Sequence, residues 1–238
     1  VVLPVALDSQ SWSIVVFCFN EEANLQGTLR NAEAFLEPLP ENSKELIVVD
    51  DGSTDGSASV AMHFCHSRPW ARLIRNEKNY GIGSALWAGY SAAQKENVCA
   101  VPGDGQFDLN ELRPFRVSVG SRVIAFYRVR QEGYSSFRKL LSLGNKLINF
   151  VFLRLRLRDV NWVKIYKRVD LERARPVLRS SLIETEICAK LRSLGVEFTE
   201  VPSRYLPRNH GSAKGGSRVT IFRAIKEIPL LLRSVLRG

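Results

Sequence analysis

A chain of 238 residues with 45% hydrophobic and 24% charged side chains is globular in composition and long enough to bury a sizeable core, which excludes a wholly disordered chain. No apolar run approaches the ~20 residues of a membrane span, no internal repeat occurs, and the start lacks the charged-then-apolar pattern of a secretory leader. The net charge of +10 is unevenly divided: residues 1–112 carry −8, which suits a metal–nucleotide site, and residues 113–238 carry +18, which suits an anionic partner such as phosphate, a membrane surface or nucleic acid.

Residues 1–12 read as a loose arm, and the chain begins at Val1, as trimming or a fragment would leave it. From residue 13, apolar runs and helical periodicities alternate: strand 13–19, helix 22–37, strand 45–49, helix 55–67, strand 71–75, helix 80–95 and strand 97–101. That alternation predicts an α/β fold built on a Rossmann-like parallel sheet. A short helix over 108–116 and a strand over 122–128 follow. The character then changes. Phe137, Leu140, Leu141, Ile148, Val151, Phe152 and Leu155 share one helical face, surrounded by Arg138, Lys139, Asn145, Lys146 and Arg154. Such a basic amphipathic helix either packs on the sheet or lies on an anionic bilayer. Strand 159–167, helix 182–194, strand 196–202, a polar loop 208–216 and an amphipathic helix 219–236 complete the chain, with Pro229 expected to kink or divide the last helix. Cys18, Cys65, Cys99 and Cys188 have no metal-ligand spacing and read as buried free thiols in a reducing compartment.

The chemistry gathers where three strands end. Leu46-Ile-Val-Val-Asp-Asp-Gly-Ser-Thr-Asp55 is an apolar strand running into Asp50 and Asp51, a turn at Gly52, and Asp55 at a helix start. Ser13 to Cys18 runs into Phe19, Asn20, Glu21 and Glu22, and Val98 to Val101 runs into Pro102-Gly-Asp-Gly-Gln106. Ligands bind at the carboxyl ends of strands in open α/β sheets. Acids repeated at that edge are what a nucleotide–metal cleft requires, although Glu21 and Glu22 also fit a first helical turn favoured by the helix dipole.

These motifs, in this order, resemble the GT-A glycosyltransferases of family 2, in particular the dolichol-phosphate mannose synthase-like, polyprenyl-phosphate glycosyltransferase branch. Phe19-Asn-Glu-Glu22, Asp50-Asp-Gly-Ser-Thr-Asp55 and Asn79-Tyr-Gly-Ile-Gly-Ser-Ala85 each match a family motif, and the resemblance extends from about Ser13 to Lys226. It implies a nucleotide half at 13–112, an acceptor half at 113–218 and a C-terminal amphipathic helix at 219–238. It also implies inverting transfer of a sugar from a UDP- or GDP-sugar to a polyprenyl phosphate at the cytoplasmic membrane face. Many relatives carry C-terminal membrane helices; this chain ends at Gly238, as a peripheral or truncated form would.

The resemblance assigns residues as well. Phe19 and Glu21 would lie near the base or ribose, with Asp50 or Asp51 bonding the base. Asp104 and Gln106 would hold Mg²⁺ or Mn²⁺, but Pro102 replaces the first Asp of the family's metal motif, so the site is expected to bind metal weakly without a diphosphate. Arg128, Arg130, Arg138, Arg208 and Lys214 would cradle the acceptor phosphate, in keeping with the fit of arginine forks to phosphate oxygens, and Asp159 would support the arginines. Glu184 and Glu186 would touch the acceptor or act as base, unless they are only acids favoured at a helix start. A phosphate acceptor, largely dianionic with a second pKa near ~6, needs cations rather than a base. Catalysis would rest on Asp104, Arg128 and Glu184. A saccharide or protein hydroxyl acceptor would instead need a base, and Pro102 also admits a nucleotide-sugar-binding pseudoenzyme. Nucleic-acid signatures are missing, so the basic half is not read as a nucleic-acid surface.

Overall fold

A computed structural model of the protein describes residues 10–129, 155–208 and 218–236. Seven strands form one sheet: β1 (Trp12–Cys18), β2 (Lys44–Asp50), β3 (Ala71–Arg75), β4 (Asn97–Pro102), β5 (Val123–Arg128), β6 (Lys164–Lys167) and β7 (Phe198–Ser203). Their order is β3-β2-β1-β4-β6-β5-β7. The first four strands are parallel, β6 runs antiparallel to both β4 and β5, and β5 and β7 are parallel. The basic half of the sequence thus adds three strands to the sheet begun by the acidic half.

Helices cover both faces, so the central strands are continuously apolar. Ile14 and Val16 of β1 face one layer, with Leu46 and Val48 of β2, and pack on α1 (Glu22–Leu36) through Leu25, Leu29, Phe35 and Leu36. Val15, Ile47 and Val49 point to the other layer, where α3 (Ile82–Ala92), α4 (Arg168–Ala174) and α5 (Ile183–Ser193) pack. This alternation is the period-two geometry of a strand buried on both sides. α2 (Ser57–His66) lies beside α1 on the first face. α6 (Arg218–Leu236) docks through Leu231, Ile228, Leu232 and Val235 onto Leu155, Leu178, Leu182 and Cys188. Cys18, Cys99 and Cys188 are buried thiols, whereas Cys65 is half-buried.

Three differences from the sequence expectation have local causes. The strand expected over 159–167 is confined to Lys164–Lys167, because residues 160–162 turn to bring two carbonyls onto the Lys164 ammonium. Residues 168–174 form α4, which the sequence pattern did not signal; it stops at Arg175, whose φ of 40° is left-handed. α6 continues undivided through Pro229, which lies on the exposed side of the helix. The basic amphipathic helix expected over 137–155 lies outside the described residues except for Leu155.

The sheet edge sets where ligands can act. Cys18 pairs with Asp50, and Phe17 pairs with Pro102, so β1, β2 and β4 end side by side. α3 is pressed against β1: a Cβ on Gly89 would stand 2.2 Å from Cγ1 of Val15, a stiff β-branched side chain. Gly89→Ala should therefore destabilise the protein by about 1–3 kcal/mol, read as a lower urea midpoint.

Candidate active site

The loops leaving β1 and β2 are locked together by side chain-to-backbone bonds. The Asn20 N–H donates to Ser53 Oγ (2.9 Å), and Asn20 Oδ1 accepts the Thr54 N–H (2.8 Å). The Glu21 N–H donates to Ser57 Oγ, the Gly56 N–H to Glu22 Oε2 (2.9 Å), and the Glu22 N–H to Asp55 Oδ2. Asn20 holds a φ of 53°, a conformation Asn tolerates better than most side chains. Glu22 and Asp55 are thereby committed to the backbone of the opposite loop.

Asp50 and Asp51 differ sharply. Asp51 Oδ1 accepts from Asn76 Nδ2 (2.7 Å) and the Tyr80 N–H, and Oδ2 accepts the Gly81 N–H (2.8 Å). Asp51 therefore clamps the segment before α3 onto the end of β2. Gly52 is needed at that clamp: its φ is 70°, and a Cβ there would meet the Lys78 carbonyl carbon at 2.3 Å. Asp50 is fully buried. Its Oδ1 accepts the Ser53 N–H, while Oδ2 has no hydrogen bond and faces Arg75 Nε at 3.4 Å. Phe19 is half-buried directly after β1.

The structure brings Glu21, Asp104, Gln106 and Arg208 together across 187 residues of sequence. Gly105, at φ 75°, turns the chain so that Asp104 Oδ1 accepts the Gln106 N–H (3.0 Å). Asp104 Oδ2 accepts from Arg208 Nη2 (2.6 Å), and Glu21 Oε1 accepts from Arg208 Nη1 (3.0 Å). Glu21 Oε2 takes Asn24 Nδ2, and Thr28 Oγ1 donates to the Gly103 carbonyl, so α1 braces both acids. Segment 205–208 is laid along this loop by the Leu206 N–H to the Gln106 carbonyl and by a bridge between Phe107 and Tyr205.

Arg128, at the end of β5, forms a second centre. Its Nε and Nη2 fork onto both oxygens of Asp159 (2.7 and 3.1 Å). Its guanidinium lies 4.7 Å from the Trp162 ring and 5.6 Å from Tyr205. Trp162 is fixed in turn by its Nε1–H to Ser203 Oγ (3.0 Å). Sequence reasoning missed Trp162 and Tyr205; the readable signal was an aromatic residue beside each charged motif. Arg130, Arg138 and Lys214 lie outside the described residues.

Glu184, expected either to meet the acceptor or act as base or to be an acid at a helix start, is bonded inside the core. Its Oε1 accepts from Tyr90 OH (2.7 Å), and its Oε2 from Lys164 Nζ (2.8 Å) and Tyr166 OH (2.7 Å). Burial by itself would lower the Lys164 pKa, but the Glu184 carboxylate outweighs it and holds the ammonium above its ordinary value. Burial, then Glu184, pushes the Tyr90 phenol well up; burial, Cys188 and Glu184 do so for Tyr166, so both stay protonated donors. The carboxylate is saturated inside the core. Glu186 is structural in the same sense: it accepts from the Val177 and Leu178 N–H groups, Lys190 and Ser234, tying α6 to α5.

Residues 13–164 match the family described as Glycosyl transferase family 2. The chain belongs to that family. A dolichyl-phosphate beta-glucosyltransferase from Drosophila melanogaster is 34% identical over 93% of this chain and 74% of its own length. The human dolichyl-phosphate beta-glucosyltransferase is 32% identical over 60% of this chain and 50% of its own. An undecaprenyl-phosphate 4-deoxy-4-formamido-L-arabinose transferase from Pseudomonas fluorescens is 29% identical over 85% and 59%. The chain spans about half the length of several curated relatives it matches. Among solved structures, mannosyl-3-phosphoglycerate synthase from Rubrobacter xylanophilus superposes with a TM-score of 0.67 at 21% identity, covering 96% of this chain and 76% of that one. Glucosyl-3-phosphoglycerate synthase from Mycobacterium tuberculosis, in complex with Mn²⁺, UDP and its product, gives 0.60 at 20% identity, covering 95% and 77%. The fold is the GT-A type of glycosyltransferase.

Two outcomes follow for the buried acids of this family 2 fold. Glu184→Ala should cost about 3–5 kcal/mol, because Lys164 would be left buried and unpaired; a Glu184→Leu, Lys164→Met double variant should recover only part of it, because the Tyr90 and Tyr166 hydroxyls keep no acceptor. Burial works to raise the Glu186 pKa, but bonds from Lys190, Ser234 and the Leu178 and Val177 N–H groups prevail and hold it below its usual 4.5. Its stabilisation is then complete above about pH 4.5 and lost as pH falls through the depressed folded value. Thermal melts from pH 6 to 3 should show a steeper loss for the wild type than for Glu186→Gln.

Proposed function

We propose that this chain is the catalytic part of an inverting, metal-dependent hexosyltransferase that moves a sugar from a UDP- or GDP-sugar to a polyprenyl phosphate at a membrane surface. The observation that carries the reading is the sheet edge, where two carboxylates of the first half, Glu21 and Asp104, meet Arg208 of the second half, while Arg128 stands at the end of β5, forked onto Asp159. Dolichyl- and undecaprenyl-phosphate transferases among the relatives support the acceptor class, and solved neighbours crystallised with UDP and Mn²⁺ or Mg²⁺ support the donor and metal.

The residues fit a divalent cation that takes most of its oxygens from elsewhere. Asp104 supplies a carboxylate and Gln106 a buried carboxamide, whereas Pro102 supplies nothing. Among the described residues no group of three His, Cys, Asp or Glu gathers to hold a metal by itself. Hard cations are often held by one or two carboxylates plus phosphates and water. Bound there, the cation would offset the charge developing on the diphosphate leaving group. Phe19 would pack the base, and Asp50, with one buried oxygen without a hydrogen bond, would accept from it.

On the acceptor side, Arg128 is pre-oriented by Asp159 and Trp162, which lowers the entropy cost of holding a phosphate. A phosphate oxygen would attack the anomeric carbon from the face opposite the diphosphate; one carbon–oxygen bond forms as the other breaks, and the electron pair leaves on the diphosphate. No proton need be removed. That suits a chain in which Glu184 is already saturated. Among the described residues no helix is long and apolar enough to cross a membrane. Exposed Phe222, Ile225, Leu230 and Leu236 on α6 support peripheral attachment to a membrane surface.

Radiolabelled sugar should pass from a UDP- or GDP-sugar into short-chain polyprenyl phosphate in the presence of Mn²⁺. Label found only in free sugar or on a saccharide would sink the acceptor assignment. Arg128→Ala should raise the acceptor KM at least tenfold, while nucleotide affinity measured by calorimetry stays within twofold. A loss confined to nucleotide affinity would place Arg128 on the donor side.

A further inference from the structure

Arg208 was expected from its motif to meet the acceptor phosphate, yet its guanidinium lies on the donor-side acids. Nη2 bonds Asp104 Oδ2 at 2.6 Å and Nη1 bonds Glu21 Oε1 at 3.0 Å. All three side chains are nearly enclosed, with exposures of 14% for Arg208, 13% for Asp104 and 9% for Glu21. In such a setting an ion pair is screened far less than one in open solvent. The other Asp104 oxygen already accepts the Gln106 N–H. Oδ2 is thus the oxygen a divalent cation would take, and Arg208 is bonded to it. Pro102 offers no second carboxylate that could hold the metal clear of the guanidinium.

We propose that Arg208 is the resident counter-ion of the donor site: it competes with the divalent cation for Asp104 Oδ2, and the cation gains that oxygen only as a nucleoside diphosphate draws the guanidinium away. The inference rests on the reading of Asp104 as the metal-side acid of a sugar-nucleotide enzyme. A doubly charged ion and a guanidinium repel each other at one carboxylate oxygen. A diphosphate relieves that repulsion, because its oxygens accept the same arginine fork. Metal and nucleotide therefore bind as a pair, and the metal alone binds poorly.

The backbone that carries Arg208 is held in place. Arg208 ends segment 205–208, which is pinned to the Asp104 loop by the Leu206 N–H and the Phe107–Tyr205 bridge. Tyr205 also packs on Trp162, the ring beneath Arg128.

The test is calorimetric titration of Mn²⁺ into wild type, Arg208→Gln and Arg208→Lys, each with and without UDP or GDP. In the nucleotide-free protein Arg208→Gln should bind Mn²⁺ on the order of tenfold more tightly, the equivalent of losing one charge-assisted bond. Arg208→Lys should show a smaller gain, since an ammonium keeps the charge but loses the fork. With nucleotide present, Arg208→Gln should lose its advantage. Nucleotide-free Arg208→Gln binding Mn²⁺ no more tightly than wild type overturns the proposal; should that variant fail to fold, Arg208→Lys is judged by the same criterion. The readout is metal occupancy, not turnover, so a protein that behaves this way but transfers no sugar overturns the proposed activity and leaves the role of Arg208 standing.

Discussion

Glu21, Glu22, Asp50, Asp51, Asp55 and Asp104 crowd one edge of a single sheet because β1, β2 and β4 are parallel and end in register. Like charges at that spacing repel, and the fold depends on how each is compensated. Glu22, Asp51 and Asp55 are satisfied by backbone N–H groups of neighbouring loops. These three acids turn separate strand–loop–helix units into one rigid rim. Asp50 is compensated by Ser53 and Arg75. Glu21 and Asp104 are compensated by Arg208, a side chain from the far end of the chain. The acids that shape the rim and those available for exchange with a ligand are separated by whether their partner is fixed backbone or a displaceable side chain.

The second half of the chain contributes cations in the same economical way. Arg128 and Arg208 leave different segments, but Tyr205 lies between their surroundings, packed on Trp162 and three residues before Arg208. The bidentate Asp159 pair and the Trp162 face fix the Arg128 plane, whereas a lysine would keep only its charge. The strongly basic balance of residues 113–238 thus resolves, in the described residues, into a few oriented guanidinium groups and many solvated ones.

β6 makes this arrangement possible. It enters the sheet antiparallel between β4 and β5, and its first residue is the buried Lys164. Glu184, Tyr90 and Tyr166 complete a polar cluster in which each charge is paired and hydrogen-bonded. The remaining Lys164 protons go to the Val160 and Trp162 carbonyls, which shapes the turn carrying Asp159 and Trp162. A core ion pair adds little net stability by itself. Here it fixes the turn on which Arg128 rests.

The apolar runs at 14–19, 46–49 and 98–101, followed within two residues by glycine or acids, determined the parallel sheet and its candidate functional edge, because strand burial and turn chemistry are local properties. Asp104, Gln106 and Glu21 were legible as candidate site residues from their places at the ends of these strands and from the family motifs they resemble. Tertiary structure alone decided which acids are held by backbone, since the Asp51 clamp needs Tyr80 and Gly81, and the Glu21–Asp104 pair needs Arg208. It also decided that Glu184, at a helix start like many catalytic acids, faces Lys164 and two tyrosines inside the core. A carboxylate has the same letter in every setting; its role is set by the donors that the fold brings within about 3 Å, and those come from positions far away in sequence.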